Sequence, residues 1–75
     1  MENKYELDSA PYEDFDDCLT AACADVAETA GIPAWAPSAT WGSVPDGRED
    51  RSVIVISVDA RHADAMDAAG YEVAQ

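Results

Sequence analysis

The residues best suited to chemistry cluster in the stretch YEDFDDCL, at positions 12–19. Four of these eight side chains are carboxylates, and the stretch also carries the thiol of Cys18. Carboxylates and thiolates can bind metal ions, and two carboxylates in unlike environments can act as general acid and base. The same acids can instead favour the start of a helix, or form a surface that attracts a basic partner.

Metal binding does not fit the spacing of these residues. The acids lack the glycine and the terminal Glu of a calcium-binding loop. Cys18 and Cys23 are not spaced as a CxxC pair, and the single histidine, His62, is distant in the sequence. On a helix the two cysteines point too far apart for a disulfide, so we expect two at least partly buried thiols in a reducing cytosol. We therefore predict no metal and no cofactor.

Catalysis has one further candidate, an Asp59–His62 pair at the start of a second helix. A lone histidine near a helix start is usually an ordinary surface residue, however. An acidic environment raises the pKa of a thiol, which makes Cys18 and Cys23 poor nucleophiles. The chain also has no glycine-rich phosphate loop. The sequence predicts a non-enzymatic protein, with an enzyme built on Asp59 and His62 as a remote alternative.

The charge is the main clue to function. Sixteen acids and four bases give a net charge of −12. Nine of those acids, with one base, lie in residues 1–28. Such a field repels nucleic acid and anionic membranes and attracts basic surfaces, which nucleic-acid-binding proteins carry. A halophilic or high-GC background would produce the same bias and is the competing explanation.

Nothing in the sequence directs the chain to a membrane. The first ten residues, MENKYELDSA, have neither the basic region nor the apolar run of a signal peptide. No segment approaches the roughly 20 apolar residues that a membrane-spanning helix needs. We predict a cytoplasmic protein.

The elements that position the acids follow from the spacing of apolar residues. A short strand over residues 4–7 precedes one helix of roughly five turns, which begins near Pro11 and ends before Gly31. An uncharged loop leads to a strand over residues 38–44, and the turn PDGRED leads to an apolar strand over residues 52–58. Asp59 begins a second helix over residues 60–69, and Gly70 ends it before a last strand at residues 71–74.

This β-α-β-β-α-β order predicts one α+β domain over residues 1–75 with a ferredoxin-like fold, an antiparallel sheet with two helices on one face. The apolar third strand should lie at the centre of the sheet. We expect Trp41 in the core, together with Phe15, Leu19, Val26, Ile54 and Ile56. The second face of that strand would meet solvent, a partner or a second copy, so a monomer or a homodimer is expected.

The first helix would carry an acidic ridge. Asp14, Asp17, Asp25 and Glu28 share one face over roughly 20 Å, long enough to match several phosphates of a nucleic-acid strand. The helix dipole accounts for acids in the first turn, but not for acids near the last turn. Trp35, between two prolines, is a further candidate for an interface. The predicted partner-binding residues are Glu13, Asp14, Asp16, Asp17, Asp25, Glu28 and Trp35.

Small size, strong acidity, a βαββαβ pattern and the lack of a catalytic signature resemble phage-encoded inhibitors of bacterial defence, the anti-CRISPR proteins and other DNA mimics. The resemblance is one of overall character, and no functional residue carries over from it. It implies that an acidic surface blocks the DNA-binding groove of a basic partner such as a CRISPR effector complex, in the cytoplasm of the host cell. The alternative is a small regulatory or structural domain, dimeric through its sheet.

Overall fold

The computed structural model describes residues 1–74, which form an α+β arrangement of three antiparallel strands and two helices. Strand β1 (Glu2–Asp8) leads through a 3₁₀ helix (Ala10–Tyr12) to helix α1 (Cys18–Ala30). Strands β2 (Ser38–Asp46) and β3 (Glu49–Asp59) form a hairpin. A second 3₁₀ helix (Ala60–His62) continues into the short helix α2 (Ala63–Ala68). No helix in this described part of the chain is long and apolar enough to cross a bilayer.

The strand order in the sheet is β1-β3-β2, which confirms the prediction that the most apolar strand is central. Successive side chains of β3 point alternately towards the helices and towards the opposite face of the sheet, as in any β-strand. Ile54, Ile56 and Val58 are buried on the helix side, and Val53 is buried on the other side. Because β3 is central, side chains of β1 and β2 lie next to its own on both faces of the sheet and contribute to their burial.

The β2–β3 hairpin is tighter than the sequence suggested. Asp46 pairs with Glu49, so only Gly47 and Arg48 form the turn. Gly47 has φ +67°, and no non-glycine residue among residues 1–74 has a positive φ. A glycine first in a two-residue turn is typical of type II′, whose twist matches that of the flanking strands.

Helix α1 is shorter than predicted, with 13 residues rather than roughly five turns. Asp17 caps its start, since its side chain accepts a hydrogen bond from the Thr20 N–H at 3.2 Å. The predicted start near Pro11 is only the 3₁₀ helix, where the Ala10 N–H bonds the Asp8 carboxylate at 3.1 Å. The end is as predicted, because Gly31 adopts φ +70° and the Ile32 N–H bonds the Ala27 carbonyl at 3.0 Å.

The core lies between the sheet and both helices. Tyr5 from β1, Val26 from α1 and Met66 from α2 are almost completely buried. They pack in one cluster with Ile54 and Ile56 of the central strand. Leu19 is half-buried against this cluster. The core expected from the sequence is therefore present for Val26, Ile54 and Ile56.

Two aromatic residues expected in the core are exposed. Phe15 is 58% exposed because it precedes α1, so the helix does not carry it onto the buried stripe. Trp41 is 53% exposed although it pairs with buried Ile54, because β2 is an edge strand and solvent reaches its side chain. Both residues leave apolar surface in contact with water.

The predicted last strand is not formed. The segment 71–74 is irregular, but it runs beside β1, where the Ala74 N–H bonds the Lys4 carbonyl at 2.7 Å. Tyr71 makes an edge-to-face contact with Tyr5, with ring centroids 6.5 Å apart. One ladder hydrogen bond does not make a strand, so the βαββαβ pattern lacks its fourth strand over the described residues.

Candidate protein-binding groove

An open groove of about 750 Å³ lies between the segment before α1 and the exposed face of that helix. One wall is formed by residues of the 3₁₀ helix and of the segment that leads from it to the start of α1. Ten residues line it. They are the apolar Pro11, Phe15, Ala21 and Ala24, the polar Tyr12 and Thr20, and the acidic Asp16, Asp17, Asp25 and Glu28.

The acids of α1 reach the groove through the helical period. Asp17 at the cap, Asp25 and Glu28 are separated by eight and three residues, which places them on one side of the helix. At about 1.5 Å per residue they extend over roughly 16 Å, somewhat less than the predicted ridge. Ala21 and Ala24 lie between them on the same side of the helix, so small apolar side chains alternate with the acids along the groove.

A hydrogen bond holds the groove's two walls together. The Tyr12 hydroxyl donates to the Asp25 carboxylate at 2.6 Å, from the 3₁₀ helix to the middle of α1. Burial of the phenol, followed by this hydrogen bond, raises the pKa of Tyr12 above its ordinary value. Tyr12 therefore stays neutral and continues to donate across the physiological pH range.

Asp17 has a structural role in addition to its charge. It accepts from the Thr20 hydroxyl at 2.7 Å as well as from the Thr20 N–H. These two hydrogen bonds lower the pKa of Asp17, so its carboxylate stays ionised. The same residue caps α1 and supplies negative charge to the groove.

The predicted binding residues separate into two groups. Asp16, Asp17, Asp25 and Glu28 line the groove together. Glu13 and Asp14 are exposed in the turn after the 3₁₀ helix and do not line it, because the predicted helix that would have aligned Asp14 with Asp17 does not form. Trp35 is 77% exposed in the loop between α1 and β2, away from the groove lining.

Sequence reasoning missed Phe15 and Tyr12 as groove residues, since their spacing from Leu19 fitted a buried helical stripe. One local signal pointed the other way. Asp is a preferred N-cap residue and Asp17 directly precedes CLTAACA, and a cap at Asp17 leaves Phe15 outside the helix. None of the four basic residues of the chain lines the groove, so its acids are not neutralised from within.

The residues considered for catalysis and metal binding are not assembled. The Asp59 carboxylate accepts from the Arg61 N–H at 2.9 Å and lies 3.4 Å from Arg61 Nε. Within residues 1–74 no hydrogen bond joins Asp59 to His62, whose Nε2 is buried without a partner. Over the same residues, no three His, Cys, Asp or Glu side chains are grouped as metal ligands would be.

Both cysteines are half-buried free thiols, as predicted. Burial, and secondarily the charge of Asp17, raises the pKa of Cys23. A raised pKa keeps a thiol protonated and lowers its reactivity near neutral pH. Cys18 lies at the start of α1, with its Sγ 4.0 Å from the Phe15 carbonyl.

Comparison with known proteins adds no relative from which a role could be transferred. The chain matches no protein-family model, no curated protein sequence and no solved structure.

Proposed function

We propose that this protein is a non-enzymatic inhibitor. Its acidic groove binds a basic surface of a protein partner and so blocks the binding of nucleic acid to that surface. The observation that supports this most is the groove itself, which is lined by four carboxylates, by no basic residue and by an exposed phenyl ring. A basic surface would be attracted by the field and oriented by the spacing of the acids. Phe15 would supply the apolar contact that charge alone does not.

The most specific form of this proposal is an anti-CRISPR-like DNA mimic that acts in the cytoplasm of a host cell. Asp17, Asp25 and Glu28 lie along one side of α1 over roughly 16 Å, a length comparable with several phosphates of a nucleic-acid strand. The acidity is one-sided, since residues 1–28 hold nine of the sixteen acids. A mimic of this kind competes with DNA for a groove in a CRISPR effector complex and needs no cofactor.

The fold that we infer for this role is ferredoxin-like. The strand order β1-β3-β2 and the packing of both helices into one core support it. The hydrogen bond from Ala74 to Lys4 brings the C-terminal segment to the free side of β1, where a fourth strand would complete the βαββαβ pattern.

Two variants of equal charge test the groove. The groove variant carries Asp16→Asn, Asp17→Asn, Asp25→Asn and Glu28→Gln, and Asn preserves the cap at position 17. The control variant carries Asp46→Asn, Glu49→Gln, Asp50→Asn and Asp67→Asn, all exposed and outside the groove. Each removes four negative charges, so any difference between them reports position rather than net charge.

The assay is binding of target DNA by purified CRISPR effector complexes in the presence of each protein. We expect the wild type and the control variant to inhibit DNA binding and the groove variant to lose inhibition. The double variant Glu13→Gln, Asp14→Asn lies outside the groove lining and should change the inhibition little. Equal inhibition by the groove and control variants would exclude the groove as the active surface.

A direct probe complements the inhibition assay. A short helical peptide rich in Lys and Arg, with one apolar side chain, imitates the expected partner surface. In NMR titrations it should shift the amide signals of Tyr12, Phe15 and Thr20 more than those of β2. Shifts spread evenly over the whole acidic surface would indicate attraction by net charge alone.

A further inference from the structure

The outer edge of β2 is an uncovered strand edge with no charged residue from Ser38 to Val44. Natural proteins usually protect such edges with charged residues, Pro or a covering segment, because unpaired backbone groups can pair with another strand. On this edge Pro45 protects only the end next to the turn, and residues 38–44 have no such protection. The opposite edge of this sheet follows that rule. Strand β1 carries Glu2, Lys4 and Glu6, and the C-terminal segment bonds to its free side.

The register of the hairpin identifies the groups that this edge presents. In a hairpin with a two-residue turn, the residues flanking the turn exchange both hydrogen bonds, and every second pair then does the same. Because Asp46 pairs with Glu49, residues 46, 44, 42 and 40 direct their backbone groups to β3. Ala39, Trp41 and Ser43 direct theirs outward.

Pro45 is consistent with this register. It falls at an outward position, where its missing N–H removes no bond to β3. Across residues 1–74, no backbone or side-chain hydrogen bond outside the sheet ladder involves residues 39, 41 or 43. The outward groups of these three residues are therefore free to pair with another strand.

The distribution of charge along the chain indicates which kind of molecule would pair with this edge. Residues 29–45 form the longest uncharged stretch of a chain that carries −12. A basic partner is attracted to the acidic residues elsewhere and gains nothing from a neutral edge. A second copy of the same chain is repelled by every acidic surface, and the neutral edge is where two copies approach at the lowest cost.

We propose that β2 pairs antiparallel with β2 of a second copy across a two-fold axis at Trp41, which joins the two sheets into one. In this register Trp41 faces Trp41 of the second copy, and Ala39 faces Ser43. Each facing pair exchanges two bonds, which gives about six interchain hydrogen bonds. Both copies contribute the same residues to the interface, as an isologous interface requires.

The two Trp41 side chains lie on the same face of the joined sheet and contact each other across the axis. A fully exposed indole presents about 250 Å². Trp41 is 53% exposed, so both copies together would bury about 260 Å² of indole surface. This is a minor part of the about 1,200 Å² buried in small stable interfaces. We expect a dimer with a dissociation constant in the micromolar range or weaker rather than a permanent one.

Sedimentation equilibrium over a range of protein concentrations tests the interface. The wild type should convert from monomer to dimer as concentration rises. Trp41→Ser and Ser43→Asp should remain monomeric with an unchanged circular dichroism spectrum. The first matched control is Trp35→Ser, which removes an exposed indole from the neighbouring loop. The second is Ala68→Asp, which adds the same charge as Ser43→Asp at an exposed position of α2. Both controls should dimerise like the wild type.

Salt provides a second readout, because it screens the repulsion between two acidic copies and should strengthen the dimer. Binding of a basic partner by the groove has the opposite salt dependence, so failure of either proposal is distinguishable from failure of the other. A wild type that stays monomeric up to about 1 mM in high salt would overturn the proposal. Dimerisation of Ser43→Asp to the same extent as Ala68→Asp would overturn it as well.

Amide hydrogen exchange locates the interface at single residues. The Trp41 and Ser43 amides should exchange fast in dilute protein and slowly in concentrated protein. The Thr40 and Gly42 amides, bonded to β3, should be protected at both concentrations. Fast exchange of Trp41 and Ser43 in a sample shown to be dimeric would place the dimer interface elsewhere and refute the proposal.

Discussion

Tyr12 and Asp25 are joined by a hydrogen bond of 2.6 Å between residues thirteen apart in sequence. The phenol anchors the segment before α1 to the middle of the helix, and the groove exists because this segment stands against the helix. A carboxylate that would otherwise add only repulsion thus also fixes the shape of the acidic surface. The relationship connects the stability of the fold to the geometry of the candidate site.

Tyr12→Phe should remove this hydrogen bond and lower the free energy of unfolding at pH 7 by about 1 kcal/mol. The pKa of Tyr12 is raised in the folded state, so its contribution is complete below about pH 10 and is lost as pH rises above the unfolded value. Urea unfolding at pH 7 and at pH 11 measures both effects. The wild type should lose more stability over this interval than Tyr12→Phe, and equal losses would contradict the role of the bond.

Asp17→Ala should lower the midpoint of thermal unfolding because α1 loses its cap, whereas Asp17→Asn should keep it. The pKa of Asp17 is lowered in the folded state, so its stabilising contribution is present above about pH 4 and is lost as pH falls through the folded pKa. Thermal melts from pH 7 to pH 2 test this. A midpoint for Asp17→Ala that equals that of the wild type at pH 7 would rule out the cap.

Phe15→Ala should change the free energy of unfolding by less than about 1 kcal/mol, because the ring is 58% exposed. Ile54→Ala, in the centre of the core, should cost about 2–5 kcal/mol and is the reference for a buried site. Phe15→Ala should nevertheless weaken inhibition of the partner. A large loss of stability in Phe15→Ala would mean that the ring packs in the core after all.

Gly42→Ala should destabilise the sheet by about 1–3 kcal/mol, because a Cβ at position 42 would lie 2.7 Å from the Cγ2 of Val55. Valine is stiff at χ1 and cannot readily move aside. Ser43→Ala, at an exposed neighbouring position, should have little effect and serves as control. The double variant Gly42→Ala, Val55→Ala should cost less than its two single changes added together, and simple additivity would argue against the contact.

A salt titration separates partner binding from a halophilic background. If the groove binds a basic surface, inhibition of DNA binding should weaken as salt rises above physiological strength, mainly through slower association. If the acidity is an adaptation of the source organism, the wild type should instead gain stability in molar salt without any salt-dependent partner. Thermal melts and inhibition measured in the same buffers make the distinction.

The run of apolar, mostly β-branched residues at 52–58 was enough to predict a central strand, because an edge strand with apolar residues on both faces would expose much of them to solvent. Gly31 predicted the end of α1, since capping depends on local backbone geometry. Asp59 predicted the start of a second helical segment, but this segment begins as a 3₁₀ helix and α2 starts only at Ala63. These features depend on a few adjacent residues, and the sequence alone determined them. It also determined that the first 28 residues would carry most of the charge.

Tertiary structure decided where α1 begins. Tyr12, Phe15 and Leu19 fit a helical stripe, but the cap at Asp17 and the bond from Tyr12 to Asp25 end that pattern before Cys18. The cap is local, but the bond that holds Tyr12 against α1 spans thirteen residues, and periodicity cannot reveal it. For this reason Phe15 lies in the groove rather than in the core, and Asp14 is not on the acidic face.

The sequence was likewise not sufficient to predict that Trp41 is exposed. An alternating strand predicts which side a residue faces, and Trp41 does face the same side as Ile54. Burial further requires that another element cover that point of the sheet, and β2 lies at the edge. Strand order is set by long-range pairing with β3, so only the assembled fold determines that Trp41 and the neutral strand edge beside it remain open to solvent.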